Sequence, residues 1–338
     1  MIHASLVVPW CRNNEIFRAD SPLNRDGTFE PYIRLRGLFL ARGIMLETDD
    51  HNAERNVEFE LHQDVQREKS GATAYLMLFE TPLVKPQNGD SHNWVRYKRV
   101  FTWRDDLVDG DRFVKINFPN PLTVPAVDGW RARDHFCCVI AGNKAVAIDD
   151  DRALYTERVR TIRWFECHAP VEFDLYGIDW DLPPLRQGLL GKVQKRLWRH
   201  ASWLAPPQPF PSYRGSINSK RDVLLHTRFS ICYENVRDLP GYITEKMFDC
   251  FFSGCVPVYW GASNITDYIP ADCFIDRRQF SDIADVYRRL KSISEEEFRD
   301  YQQRIAEFLA SDAARPFSSE AFAEIIVNTV VSDLGDQS

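Results

Sequence analysis

The chain has 338 residues, 44% of them hydrophobic and 13% aromatic, which excludes an intrinsically disordered protein and gives enough length for two domains with their own cores. A formal net charge of −7 argues against general duplex-DNA binding, so no nucleic-acid partner is expected. The charge is uneven: residues 182–221 hold no Asp or Glu but eight Lys or Arg, a block suited to an anionic ligand or surface.

In chain order, residues 2–8 read as a short buried strand, and 32–41, followed by Arg42-Gly43, as a helix with a C-terminal glycine. Strands are predicted to follow from residue 44, over 74–79 (AYLMLF, ending at Glu80-Thr81-Pro82), 100–103 and 114–116, an alternation typical of an α/β layer. Pro119-Asn120-Pro121 and the polar stretch to Arg133 look like a linker. A second alternation opens with FCCVIA at 136–141, a continuous apolar run of the kind found in buried parallel strands. It continues with strands at 173–176, 229–233, 256–260 and 274–275 and helices at 153–166, 244–254, 283–293, 295–309 and 319–330. Two successive α/β blocks predict two Rossmann-like domains facing a central cleft, with ligands beyond the carboxyl ends of the strands. The predicted boundaries are residues 1–132, residues 133–312 with a basic insertion at about 185–211, and a C-terminal helix or tail at 313–338.

Eight cysteines include no C-x-x-C pair and sit mostly in apolar runs, as free thiols packed like small hydrophobes do in a reducing compartment. The N-terminus has no basic region before its short apolar run, and no apolar stretch approaches the ~20 residues of a membrane span. The expectation is a cytoplasmic protein, attached at most to a membrane surface.

The densest chemistry lies between Tyr213 and Gly261. A strand ends in Glu234-Asn235, a loop passes through Gly241, and Thr244-Glu245-Lys246 opens a helix. Unpaired N–H groups and a partial positive charge at a helix N-terminus suit an anion, and Lys246 adds a full charge. Glu245 can accept hydrogen bonds from paired sugar hydroxyls, and Gly241 allows close approach of the backbone. These are the mechanics of a nucleotide-sugar site. The plainer reading makes Thr244 a cap, Glu245 a dipole partner and Lys246 a solvated side chain. A lysine in the first turn opposes the helix dipole, however, which points to an additional anion.

The segments YRGSINSK (213–220), FSICYEN (229–235), GYITEKMFD (241–249), GCVPVYWGA (254–262) and YIP…FID (268–276) together resemble the alpha-1,3/4-fucosyltransferase family. Weaker resemblance extends upstream through FTWRDDLVDGDRF and FCCVIAGN, but the first 70 residues and 182–211 carry little of it. The resemblance implies an α/β protein of GT-B architecture, with an N-terminal acceptor domain and a C-terminal nucleotide domain. It implies an inverting glycosyltransferase that moves L-fucose from GDP-fucose to an oligosaccharide or glycolipid acceptor. By position it assigns donor contacts to Tyr213, Asn235, Tyr242, Glu245 and Lys246, and the diphosphate arginine to Arg158, with Arg160 and Arg163 close enough for a gap to move the match. The base falls on Glu80, although Phe79 stands where the family has glycine; Asp105 and Asp106 are the alternatives.

Expulsion of GDP needs its charge met, and arginine and lysine can do this without a metal. No cofactor is therefore obligatory, and a divalent cation would at most stimulate. The Asp-x-Asp spacing in Asp149-Asp150-Asp151 reads as an acidic turn before a helix. Residues 189–204 combine an apolar stripe, flanking Trp198 and Trp203, and basic residues. This describes either a helix on an anionic membrane surface, here the inner face, or an insertion packed on its own domain. Two other readings stand beside the fucosyltransferase: a GT-B relative using another nucleotide sugar, and a catalytically silent glycan-binding relative.

Overall fold

The computed structural model describes residues 1–66, 71–145, 150–182, 185–186, 193, 196–198 and 210–335. In chain order the elements are β1 (Ile2–Val7), α1 (Glu30–Ala41), β2 (Ile44–Thr48), β3 (Phe59–Gln63), β4 (Thr73–Leu78), β5 (Tyr97–Thr102), β6 (Phe113–Lys115), β7 (His135–Ile140), β8 (Lys144–Ala145), α2 (Tyr155–His168), β9 (Phe173–Tyr176), β10 (Leu185–Arg186), α3 (Lys220–Leu224), β11 (Thr227–Tyr233), α4 (Glu245–Phe252), β12 (Val256–Trp260), β13 (Ile275–Asp276), α5 (Ile283–Ser292), α6 (Glu295–Ala310) and α7 (Ser319–Gly335). They form two compact units. The first is Met1–Leu122 with Pro240–Glu245 and Asp312–Ser338; the second is Thr123–Leu239 with Lys246–Ser311. This division differs from the sequence-based one in three places. The first boundary falls at Leu122 rather than 132, the C-terminal helix is part of the first unit rather than a tail, and the chain returns to the first unit at Pro240–Glu245.

The first unit is built on a six-stranded sheet of order β2-β1-β3-β4-β5-β6, parallel at every pairing. Helix α1 buries Tyr32, Leu35 and Phe39, a spacing of three and four that puts them on one helical face. Helix α7 presents Phe322, Ile326 and Val330 at four-residue intervals to the same core, with Phe322 edge-on to Tyr32. The far end of α7 is tied to the sheet by an ion pair: Arg99 Nη2 on β5 lies 2.6 Å from the carboxylate of Asp333, whose side chain is 2% exposed. Burial pushes the Asp333 carboxyl up, but the hydrogen bonds and charge of Arg99, helped by Lys98, outweigh this and leave it below its ordinary value.

The returning segment Pro240–Glu245 is seated by its glycine. Gly241 has φ +79°, and a Cβ there would lie 2.2 Å from the Trp103 carbonyl oxygen and under 3 Å from Lys115 Nζ and Asp105 Oδ2. Lys115 Nζ bonds both the Trp103 carbonyl (2.6 Å) and Asp105 (2.5 Å), so the seat is itself held. Tyr242 packs against Trp103 with ring centroids 4.7 Å apart.

The second unit carries a five-stranded parallel sheet of order β13-β12-β11-β7-β9, with β8 and β10 as a separate short parallel pair. The central strands β7, β11 and β12 are the continuous apolar runs, as a sheet covered on both faces requires. Beneath it Arg133, with a side chain 1% exposed, donates to the carbonyls of Gly129, Leu224, Thr227 and Ser253, so its buried charge is surrounded by oxygen. None of the eight cysteines is in a disulfide, and all but Cys167 are buried.

Two outcomes test this description. Gly241→Ala should destabilise by about 2–4 kcal/mol, because strain at positive φ and a backbone clash add; a denaturant midpoint within experimental error of wild type would show that the seat is loose. Asp333→Asn should cost about 2–4 kcal/mol at neutral pH, less than a wholly buried pair because the Arg99 side chain is 23% exposed. A depressed native pKa gives stability above the unfolded carboxyl value of ~3.9 that is lost as pH falls. The gap between wild type and variant should therefore narrow below about pH 4; a gap that widens there would contradict the ion pair.

Candidate functional site

Strand β11 ends at Tyr233, and the next residue, Glu234, is completely buried. Its N–H donates to the Trp260 carbonyl at the end of β12 (2.8 Å), and its carboxylate accepts from Lys246 Nζ at 3.0 Å. Gly261 leaves room for it, since a Cβ there would lie 2.5 Å from Glu234 Cγ. Lys246 stands in the first turn of α4, so the sequence motif brings a lysine to the carboxyl end of the central strand.

Helix α2 brings the second cation. Its buried face carries Tyr155, Arg158, Ile162 and Phe165, so Arg158 occupies a position where helical periodicity calls for an apolar residue. Arg158 is 4% exposed and donates Nη2 to the carbonyls of Tyr233 (2.9 Å) and Glu234 (3.3 Å). The two neighbouring arginines do otherwise. Arg160 has a side chain 71% exposed and pairs with Glu157, while Arg163 pairs with Glu166 and lies over the Phe210 ring. Asn235 is half-buried, and its carbonyl accepts from the Leu154 N–H (3.0 Å), which ties the start of α2 to the end of β11.

Arg158 and Lys246 line one pocket together with Ile140 at the end of β7, Tyr233, Lys220 and Asp249. Its place at the carboxyl ends of β7 and β11 is where open parallel sheets bind ligands. Sequence reasoning missed Lys220 and Asp249, which form an ion pair at 2.6 Å; their separation along the chain left no local signal. Tyr213 lies elsewhere, bridged to Leu175 beside β9, with its hydroxyl donating to the Gly177 carbonyl (2.8 Å). Burial, then the charges of Asp181 and Asp179, pushes its phenol up.

The remaining candidates belong to the first unit. Tyr242 is 2% exposed and packed between Trp103 and Phe118. Glu245, half-buried, is the first residue of α4. Glu80 is exposed just beyond β4. Its backbone is fixed by Asp64, a buried carboxylate at positive φ that accepts from the N–H groups of Phe79 (2.8 Å) and Glu80 (3.0 Å) and from Asn88 Nδ2 (2.8 Å). Asp64 was also missed, because it follows a strand that the sequence pattern does not show. The alternatives to Glu80 are both in ion pairs: Asp105 with Lys115 and Asp106 with Arg104, each at 2.5 Å.

Of the acidic run before α2, Asp149 lies outside the described residues. Asp150 bonds Arg152, whose guanidinium holds its carboxyl down at about 2. Among the described residues no group of three His, Cys, Asp or Glu is placed to hold a metal ion. The basic segment 189–204 lies outside the described residues except for Val193 and 196–198, where Val193 and Leu197 are exposed. No described helix is long and apolar enough to cross a membrane.

The fold is that of GT-B glycosyltransferases. A crystal structure of an alpha1,3-fucosyltransferase superposes with a TM-score of 0.54 over 97% of this chain and 89% of that one, at 12% identity. Sucrose-phosphate synthase from Thermosynechococcus elongatus gives 0.58 over the whole of both chains, at 11% identity. A further alpha1,3-fucosyltransferase structure, with GDP-fucose, gives 0.51 over 97% of this chain and 90% of that one, at 12% identity. In sequence, the alpha-(1,3)-fucosyltransferase FucT of Helicobacter pylori is 28% identical over 76 residues, 22% of this chain and 16% of that protein. An alpha-(1,4)-fucosyltransferase of Arabidopsis thaliana is 34% identical over 71 residues, 21% of this chain and 18% of that protein. The similarity thus spans less than a fifth of the length of either relative. Residues 209–311 match a family model, that of the C-terminal domain of glycosyltransferase family 10, the fucosyltransferase family.

Proposed function

We propose that the chain is an inverting fucosyltransferase that moves L-fucose from GDP-fucose to a hydroxyl of an acceptor glycan. The observation that carries this reading is the convergence of Arg158 and Lys246 on one pocket at the end of β11, in the unit that contains the family 10 domain. The GDP-fucose held by a solved protein of the same fold supports the choice of donor.

In this mechanism the acceptor oxygen attacks the anomeric carbon as the bond to the GDP oxygen breaks. Negative charge grows on the diphosphate, and the arginine fork and the lysine point charge stabilise it more in the transition state than in the bound donor. GDP then leaves without a general acid, and no metal is required. The acceptor proton goes to Glu80, whose backbone Asp64 holds rigidly while its side chain stays exposed. Glu245 accepts from donor-sugar hydroxyls. Tyr213 and Asn235 contribute as the family resemblance assigns them. Tyr242 keeps the donor contact that the resemblance assigns it and, packed against Trp103, also braces the segment leading to Glu245.

Calorimetry should detect GDP binding in EDTA; binding that vanishes in EDTA and returns with manganese would refute the metal-free account. Lys246→Ala should weaken GDP binding by about 1.5–3 kcal/mol. It also leaves Glu234 buried without its cation, so stability must be followed alongside. The double variant Lys246→Met with Glu234→Gln removes both charges and should regain stability without regaining GDP affinity.

Glu80→Gln keeps shape but removes basicity. It should lower kcat by ~10²–10⁴-fold with GDP affinity nearly unchanged. Near-full activity would exclude Glu80 as the base.

A further inference from the structure

We propose that Lys220 is a second diphosphate-binding lysine, held by Asp249 until the phosphates of the donor displace that carboxylate. The inference rests on the fucosyltransferase reading of the pocket and extends it to a residue that the family resemblance leaves without a role.

A nucleotide-sugar diphosphate carries about two negative charges. Lys246 faces the fully buried Glu234 carboxylate at 3.0 Å, so as a pair they bring almost no net charge to the pocket. Arg158 brings one positive charge, already directed at the carbonyls of Tyr233 and Glu234. Binding a dianion in that pocket calls for another cation, and Lys220 lines the same wall.

Geometry places it suitably. Asp249 follows Lys246 by three residues on α4, so the two side chains share a helical face with Cβ atoms about 5–6 Å apart. Lys220 Nζ, 2.6 Å from Asp249 Oδ2, is therefore brought to the same wall as the Lys246 ammonium. The backbone beneath Lys220 is anchored: Ser219 accepts from the Asp222 N–H, and Arg133 donates to the Leu224 carbonyl at 3.0 Å.

The two lysine–carboxylate pairs are not equivalent. Glu234 has no exposed surface, and exchanging its partner would strand a buried charge. The Lys220 side chain is 37% exposed and that of Asp249 17%, so water can solvate the carboxylate once the lysine turns to phosphate. A pair of this kind is weak, and a phosphate with more charge competes with it successfully.

The alternative is that the pair only staples α3 to α4, in which case removing either partner has effects of the same sign. The test is calorimetry of GDP and of guanosine, at low salt, on wild type, Lys220→Met and Asp249→Asn, with thermal midpoints measured in parallel. Lys220→Met should weaken GDP binding about 10-fold, while Asp249→Asn, which removes the competitor, should tighten it about 2–5-fold. Guanosine, which lacks phosphate, should bind all three alike. Wild-type GDP binding left unchanged by Lys220→Met would overturn the inference while leaving the function standing. So would weakening of GDP and guanosine together, or weakening of GDP by both variants. Failure of the wild-type protein to bind GDP would remove the functional reading and this inference with it.

Discussion

A carboxylate with no access to water stands at the end of the central strand of the second unit, and the arrangement around it follows from that. Burying an ionised group is costly by several kcal/mol unless it is paired and hydrogen-bonded. Glu234 is met by Lys246, its own N–H is taken by Trp260, and a glycine at 261 makes the space. The requirement fixes the lysine: Lys246 must lie in the first turn of α4, within 3.0 Å of the strand end. Arg158 reinforces the same point by gripping the carbonyls on either side of the Tyr233–Glu234 peptide. The cations proposed to meet a diphosphate are thus also those that make the strand end stable, so losing either affects folding.

The motif GYITEK answers two separate physical demands. Its first residues satisfy the first unit, where Gly241 fits against a carbonyl oxygen that no Cβ could approach and Tyr242 fills the space beside Trp103. Its last residue satisfies the second unit by neutralising Glu234. A six-residue pattern is therefore constrained at nearly every position, for reasons that differ from one position to the next. The candidate base has its own support: Asp64 gathers three N–H donors and holds the backbone of Glu80, an exposed residue. Such a carboxylate can orient a strand end without taking part in chemistry.

Much of this was legible from local pattern. The runs FCCVI and VPVYW are strands because both faces of a parallel sheet are buried, and α1 and α2 lie within a few residues of their predicted places. Strand β3 was not legible. Glu60 and His62 interrupt its apolar pattern, yet both are buried, because His62 Nε2 lies 2.7 Å from Glu60 and its other ring nitrogen 3.2 Å from the Tyr97 hydroxyl. A mutually satisfied pair looks like solvent-facing polarity in one dimension. The C-terminal helix was legible as a helix but not as part of the first unit, since its place depends on Tyr32 and Arg99, nearly 300 and 234 residues away respectively.

Sequence by itself determined the α/β alternation, the order of the segments that resemble family 10 and the residue types of a cationic candidate site, because periodicity and motif spacing are local properties of the chain. Tertiary structure alone decided which of Arg158, Arg160 and Arg163 faces the strand end, that Tyr242 is packed rather than exposed, and that Lys246 and Lys220 each meet a carboxylate. The reason is physical: the worth of a charge depends on its burial and its partners, and those partners are brought together only when distant segments pack.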